Sequence, residues 1–302
     1  MLSHEAATPR RQNATVQSSR TNGWKCFVQE RTRTLSALAV LCVLLWPDAV
    51  QGRAGAAQQR GADATASPRA AAPVDLTGYW VSVVTQDWRW RMVTPAKGDY
   101  ASVPLNAEGR RVADTWDLAK DNASGEQCRP FGAGGIMRVP TRARISWADD
   151  MTLKIETDAG TQTRLLRFGP VAAAAGDPTW QGSSAASWFK QAQSRGLGFG
   201  GGPPQGAGVL KAVTTRMRPG YLRSNGVPYS DAAVVTEYYN RHSDFGVEWF
   251  TVTTVVEDPK YLTQPFITSS SFKKEPDDSK FAPTPCETPA PRAGAAIGNQ
   301  NP

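Results

Sequence analysis

Histidine is almost missing from this chain: of 302 residues, only His4 and His242 carry an imidazole. That excludes a zinc site built on several histidines and leaves any Ser-His-Asp arrangement dependent on His242 alone. Cysteine is equally scarce, with Cys26, Cys42, Cys128 and Cys286. No HExxH, GxxxxGK[ST], GxSxG or CxxC pattern follows residue 56, so neither a metal nor a cofactor is expected. A long hydrophobic run is also lacking. The apolar stretch at residues 35–46 has twelve residues, too few to span a bilayer.

A basic run is missing too, despite a formal charge of +7. Of 34 Lys/Arg and 27 Asp/Glu, seven and three respectively fall in residues 1–56, so the rest has only three more basic than acidic residues. Nothing after the leader resembles a cationic track for a phosphate backbone, and a nucleic-acid partner is set aside.

What is present begins with a leader. Arg31 and Arg33 precede the apolar stretch and Pro47 ends it, and Ala54-Gly55-Ala56 offers small residues for cleavage. Residues 1–56 therefore read as a signal peptide with an extended n-region, and the protein as periplasmic or secreted, with no membrane span in its mature form. Residues 57–73 are Ala-, Gln- and Arg-rich with little to bury, and read as a disordered linker. The composition of residues 289–302 gives a disordered tail, which leaves residues 74–288 as one domain.

Within that domain apolar residues recur mostly at every second position, the period of a strand. Strands are predicted at residues 80–84, 88–93, 142–147, 153–157, 161–168, 187–189, 209–215, 233–241, 249–257 and 266–273. Asp158-Ala159-Gly160 turns the clearest hairpin. One helix is predicted over residues 105–120, with Asn106 as its N-cap and Gly109 weakening it. Short consecutive strands with hairpin links describe a mostly β fold, an antiparallel meander curled into a barrel or a strongly curved sheet.

Four sets of residues are candidates for chemistry. Trp88-Arg89-Trp90-Arg91 reads in two ways. As a strand it buries Trp88, Trp90 and Met92 and exposes Arg89 and Arg91; as a site its aromatics wall a cavity in which a guanidinium orients an anionic or carbonyl-bearing ligand. Arg164, Tyr221 and Glu237 are further ligand-binding candidates. Glu237 and Asp258 are the candidate catalytic acids, with Arg164, Arg216 and Arg218 as possible ion-pair partners. Cys128 and Cys286, the two cysteines beyond the leader, are expected to form a disulfide that pins the C-terminal segment. Gly196-Leu197-Gly198-Phe199-Gly200-Gly201 fits GxGxxG, but Pro203-Pro204 follows and no helix can start there, so no dinucleotide site is expected.

Gly78-Tyr79-Trp80 resembles the Gly-x-Trp opening of lipocalins, which implies a lipocalin-like antiparallel barrel binding small apolar molecules. Residues 76–286 are also similar to a family of exported bacterial β proteins with no established activity. The resemblance is carried by Gln127-Cys128, Ile136-Met137-Arg138-Val139-Pro140, Asp158-Ala159-Gly160-Thr161-Gln162-Thr163-Arg164, Trp180-Gln181-Gly182-Ser183, Arg218-Pro219-Gly220-Tyr221-Leu222-Arg223 and Glu257-Asp258-Pro259. The chain departs from it where a Gly-rich insertion separates Trp188-Phe189-Lys190 from Val209-Leu210. The expected function is binding of a small, partly apolar ligand. The alternatives are an enzyme using carboxylate acid–base chemistry on the same scaffold, or a carbohydrate or cell-envelope interaction module.

Overall fold

A computed structural model describes residues 66–169, 176–189 and 208–291. The leader, the first half of the linker, the Gly-rich GxGxxG stretch and most of the tail lie outside the described residues.

The strands are β1 (Gly78–Val83), β2 (Arg142–Asp149), β3 (Thr152–Thr157), β4 (Gln162–Phe168), β5 (Ser183–Phe189), β6 (Val209–Thr215), β7 (Gly220–Arg223), β8 (Val227–Tyr229), β9 (Val234–Asp244), β10 (Val247–Glu257) and β11 (Phe266–Glu275). Nine of them close a barrel in the order β1-β11-β10-β9-β6-β5-β4-β3-β2, while β7 and β8 form a separate two-stranded ribbon. The barrel is mixed rather than purely antiparallel: β4 and β5 run parallel, with Leu166 opposite Ser184. Closure gives every barrel strand a neighbour on both sides, over only three residues at the β4–β5 seam, and so leaves little edge for another chain to extend.

Alternation sets what fills the barrel. Trp80, Ile145, Ile155, Leu166, Tyr239 and Phe250 belong to one buried cluster, to which all nine barrel strands contribute. Trp80 meets Phe250 edge-on at 4.9 Å and Phe250 stacks on Phe272 at 4.6 Å. A barrel of about eight strands is just wide enough to be filled by side chains or to hold one small ligand. With aromatics of this size along its axis, this one has a packed core.

Three connections leave from one end of the barrel, where β1 leads to β2, β6 to β9 and β10 to β11. A second apolar cluster, including Tyr100, Leu105, Ala113, Tyr229 and Phe266, holds these segments together as a cap. The helices lie here: α1 (Trp88–Arg91), α2 (Ala107–Ala113) and α3 (Leu118–Ala123). None is long and apolar enough to cross a membrane.

Three expectations are corrected. Residues 88–93 are not a strand. Asp87 takes φ 53°, a left-handed backbone that turns the chain directly into α1. The single helix over 105–120 is two. Asn106 caps α2 by accepting from the Gly109 amide, as expected. Asp117 then accepts from the Ala119 and Lys120 amides, offering the backbone a new start instead of a continued helix. Gly109 sits there because its Cα lies against the Tyr261 carbonyl, where a Cβ would come within 2.5 Å. Finally, residues 66–73 are not a free linker. Trp188 donates its indole N–H to the Pro68 carbonyl at 2.8 Å, and the Arg69 amide bonds to Asp150.

Cys128 and Cys286 are bonded, 158 residues apart. A loop of that size stabilises by roughly 3–5 kcal/mol in the chain-entropy account. The bond also fixes residues 284–289 on the cap, where the Thr284 amide donates to the Asp158 carbonyl and the Thr161 hydroxyl to the Thr284 carbonyl.

Candidate functional site

The turn into α1 decides the site. On a helix, residues 89 and 91 leave the axis in different directions, so the two arginines part. Arg89 pairs with Asp99 at 3.2 Å, and the Trp90 indole N–H donates to the same carboxylate oxygen. Arg91 turns inward, and its Nε donates to the Arg138 carbonyl at 2.7 Å. Trp88 and Met92 are 65% and 59% exposed, the reverse of the strand pattern that would bury them.

Arg138 ends the 3-10 turn Ile136–Arg138. Its Nη1 donates to Asp87 at 2.8 Å and its guanidinium covers the Phe266 ring at 5.5 Å. Arg223, the last residue of β7, lies over Trp90 at 4.6 Å and over the same Phe266 ring at 6.0 Å. Three guanidiniums from three segments are thus brought together, only 7%, 6% and 4% exposed for Arg91, Arg138 and Arg223. Among the described residues one carboxylate, Asp87, pairs with any of them.

Five of their nitrogens are buried with no hydrogen-bond partner among the described residues: Nη2 of Arg91, Nη2 of Arg138, and Nε, Nη1 and Nη2 of Arg223. A buried donor left unpaired costs about 1–3 kcal/mol, and more when charged. Burial, and then repulsion from Arg138, pushes the Arg91 and Arg223 guanidiniums down to about 10. Both are still charged near neutrality, against a cost that a neighbouring anion would relieve.

The three arginines line a cavity of about 460 Å³. Met92, Val93, Phe131, Val139 and Leu222 supply apolar wall, and Thr284, Pro285 and Glu287–Pro289 complete the lining. Glu287 is exposed and pairs with none of the arginines among the described residues. No lining residue comes from a barrel strand. The chain matches no protein-family model, no curated protein and no solved structure.

The remaining candidates stand elsewhere. Arg164 and Glu237 meet inside the barrel, both side chains fully buried, with Nη1 to Oε1 at 2.9 Å and Nη2 to Oε2 at 2.6 Å. The Tyr239 hydroxyl accepts from Arg164 at 3.3 Å, and the Thr214 hydroxyl takes the other arm at 3.4 Å. Burial works against the Arg164 charge, but the Glu237 carboxylate outweighs it and holds the guanidinium above its ordinary range. The expected partnership between Arg164 and a strand acid is therefore present, as an internal brace.

Tyr221 donates its hydroxyl to Asp121 at 2.8 Å and accepts from Arg129, on the far side of the cap helices. Burial, and then its hydrogen bond to the Asp121 carboxylate, outweighs Arg129 and pushes the phenol up to about 12. Asp258 accepts from the Ser230 amide and hydroxyl and from the Lys260 amide, tying two connections of the cap together. Arg218 pairs with Glu126, and Arg216 donates to the Gly176 carbonyl. Both candidate acids thus have every carboxylate oxygen engaged by donors of the chain itself. Trp88 is exposed, but Trp90 is covered by Arg223 and Trp249 is half-buried, so the three form no flat row for a sugar.

Arg138, Arg223 and Asp87 were not candidates from the sequence. Arg138 and Arg223 lie 47 and 132 residues from Arg91 along the chain, Asp87 only four, and nothing local distinguishes the three from solvent-facing residues.

Proposed function

We propose that the protein is an exported binding protein for a small molecule with an acidic group and an apolar body, seated in the arginine pocket at the capped end of the barrel. One observation carries this reading: the Arg223 guanidinium is almost fully buried and none of its nitrogens has a partner. Proteins rarely leave a buried charge unpaired, and a concave, mostly apolar site with a few converging polar groups is the usual form of a ligand pocket. The ligand's acid would complete the hydrogen bonds of the cluster while its body lies along Phe131, Val139 and Leu222. Export is supported by the leader at residues 1–56 and by a disulfide of the kind that oxidising compartments allow. The lipocalin-like opening and the likeness to exported β proteins support the same reading, with the ligand beside the barrel instead of within it.

Trp90 lies against Arg223 and reports on the pocket. Titrating alkyl and aryl acids, each beside its neutral alcohol or amide counterpart, is expected to give saturable changes in tryptophan fluorescence. The acids should bind at least about tenfold more tightly, since a charge-assisted hydrogen bond is about twice as strong as a neutral one. Equal binding of acid and neutral counterpart, or no saturable response, would overturn the proposal.

A further inference from the structure

We infer that the head of this ligand is a doubly negative, phosphate-type group; the inference rests on the binding reading above and narrows it to a ligand class. Charge is the first argument. Arg91, Arg138 and Arg223 bring three positive charges under the surface, and Asp87 returns one. Arg89 and Asp99 cancel each other in their own pair. Glu287 is exposed, where water screens it. Two positive charges are left uncompensated. A carboxylate would neutralise only one and leave the other buried and unpaired, the costly state.

Geometry is the second argument. One arginine fork is enough to grip a carboxylate side-on, with two parallel hydrogen bonds. Here the unpartnered nitrogens belong to three guanidiniums carried by α1, the 3-10 turn Ile136–Arg138 and β7. Three approaching segments suit three terminal oxygens better than two. Arginine is the residue that recognises such groups, because its planar fork stays charged and loses little freedom on binding. The apolar lining then favours a phosphate monoester or phosphonate over free inorganic phosphate.

Calorimetric titration of the whole protein with hexyl phosphate, hexyl sulfate, heptanoate and inorganic phosphate, near pH 8 and at one ionic strength, separates these ideas. Hexyl sulfate has the same shape and three terminal oxygens but a single charge. Hexyl phosphate is expected to bind at least about tenfold more tightly than hexyl sulfate or heptanoate, and inorganic phosphate to bind more weakly than hexyl phosphate. That preference should disappear in Arg223→Met. If hexyl sulfate or heptanoate equals hexyl phosphate, one charge suffices and this inference falls while the binding reading stands. If none of the four binds, both fall. A phosphate preference that survives unchanged in Arg223→Met places it outside the cluster and also overturns the inference.

Discussion

Glu237→Ala is expected to destabilise the protein by roughly 3–5 kcal/mol, the range for breaking a buried ion pair by removing one partner. The side chains of Glu237 and Arg164 are both fully buried and joined by two hydrogen bonds. Removing the carboxylate leaves the guanidinium charged within a packed barrel, with only the Tyr239 and Thr214 hydroxyls near it. The melting temperature should fall by about 2–4 °C per kcal/mol for a domain of this size. The double replacement Arg164→Met with Glu237→Leu is expected to recover most of the loss, because apolar groups of similar volume often substitute for a buried pair at little cost. Urea unfolding of the single and double variants checks both numbers. A loss below about 1 kcal/mol for Glu237→Ala would mean the pair is not the internal brace described here.

Arg223→Met is expected to do the opposite. Stability without ligand should stay the same or rise by about 1–2 kcal/mol, since the change removes a buried charge with no hydrogen bonds and keeps a polarisable side chain against Trp90 and Phe266. Affinity for the acidic ligand should fall by about a hundredfold, or 2.7 kcal/mol. The sign with pH agrees. Arg223 is held down to about 10 from an ordinary 12.5, so keeping it charged costs stability at every pH below about 10. That cost is relieved only as pH rises through the folded value toward the unfolded one. At neutral pH it is present in full, and the methionine variant escapes it. The two buried arginines therefore differ in kind: Arg164 has its acid within the chain, whereas Arg223 has none. If Arg223→Met instead unfolds the protein as Glu237→Ala does, the guanidinium is structural and the pocket loses its central residue. A residue that lowers stability where it stands is more often held for function.

The two arginines also mark where the sequence was readable. Strands β9, β10 and β11 alternate buried and half-buried residues along most of their length, so period alone located them. The disulfide followed from there being two cysteines after the leader. Trp88-Arg89-Trp90-Arg91 misled because alternation of two residue types fits a strand and says little about one turn of helix. The deciding feature was the left-handed backbone at Asp87 and a carbonyl 47 residues further on. The parallel pairing of β4 with β5 was hidden for a related reason, since turn residues mark where a strand ends and not which neighbour it joins. Arg164 and Glu237 stand out in the sequence as a cation and an acid on predicted strands; their pairing with each other gives them a structural role. Arg138 and Arg223 sit in the Ile136–Pro140 and Arg218–Arg223 blocks that carry the likeness to exported proteins, which is the one sequence signal that bore on the site.

The most direct measurement is a crystal structure of the protein grown with hexyl phosphate. The account predicts the phosphate in the cap pocket, its oxygens about 2.7–2.9 Å from nitrogens of Arg138 and Arg223, the spacing of charge-assisted hydrogen bonds, with the alkyl chain toward Phe131 and Leu222. An empty pocket in which Glu287 or another protein carboxylate has moved onto Arg223 would contradict it, because the chain would then complete the cluster by itself.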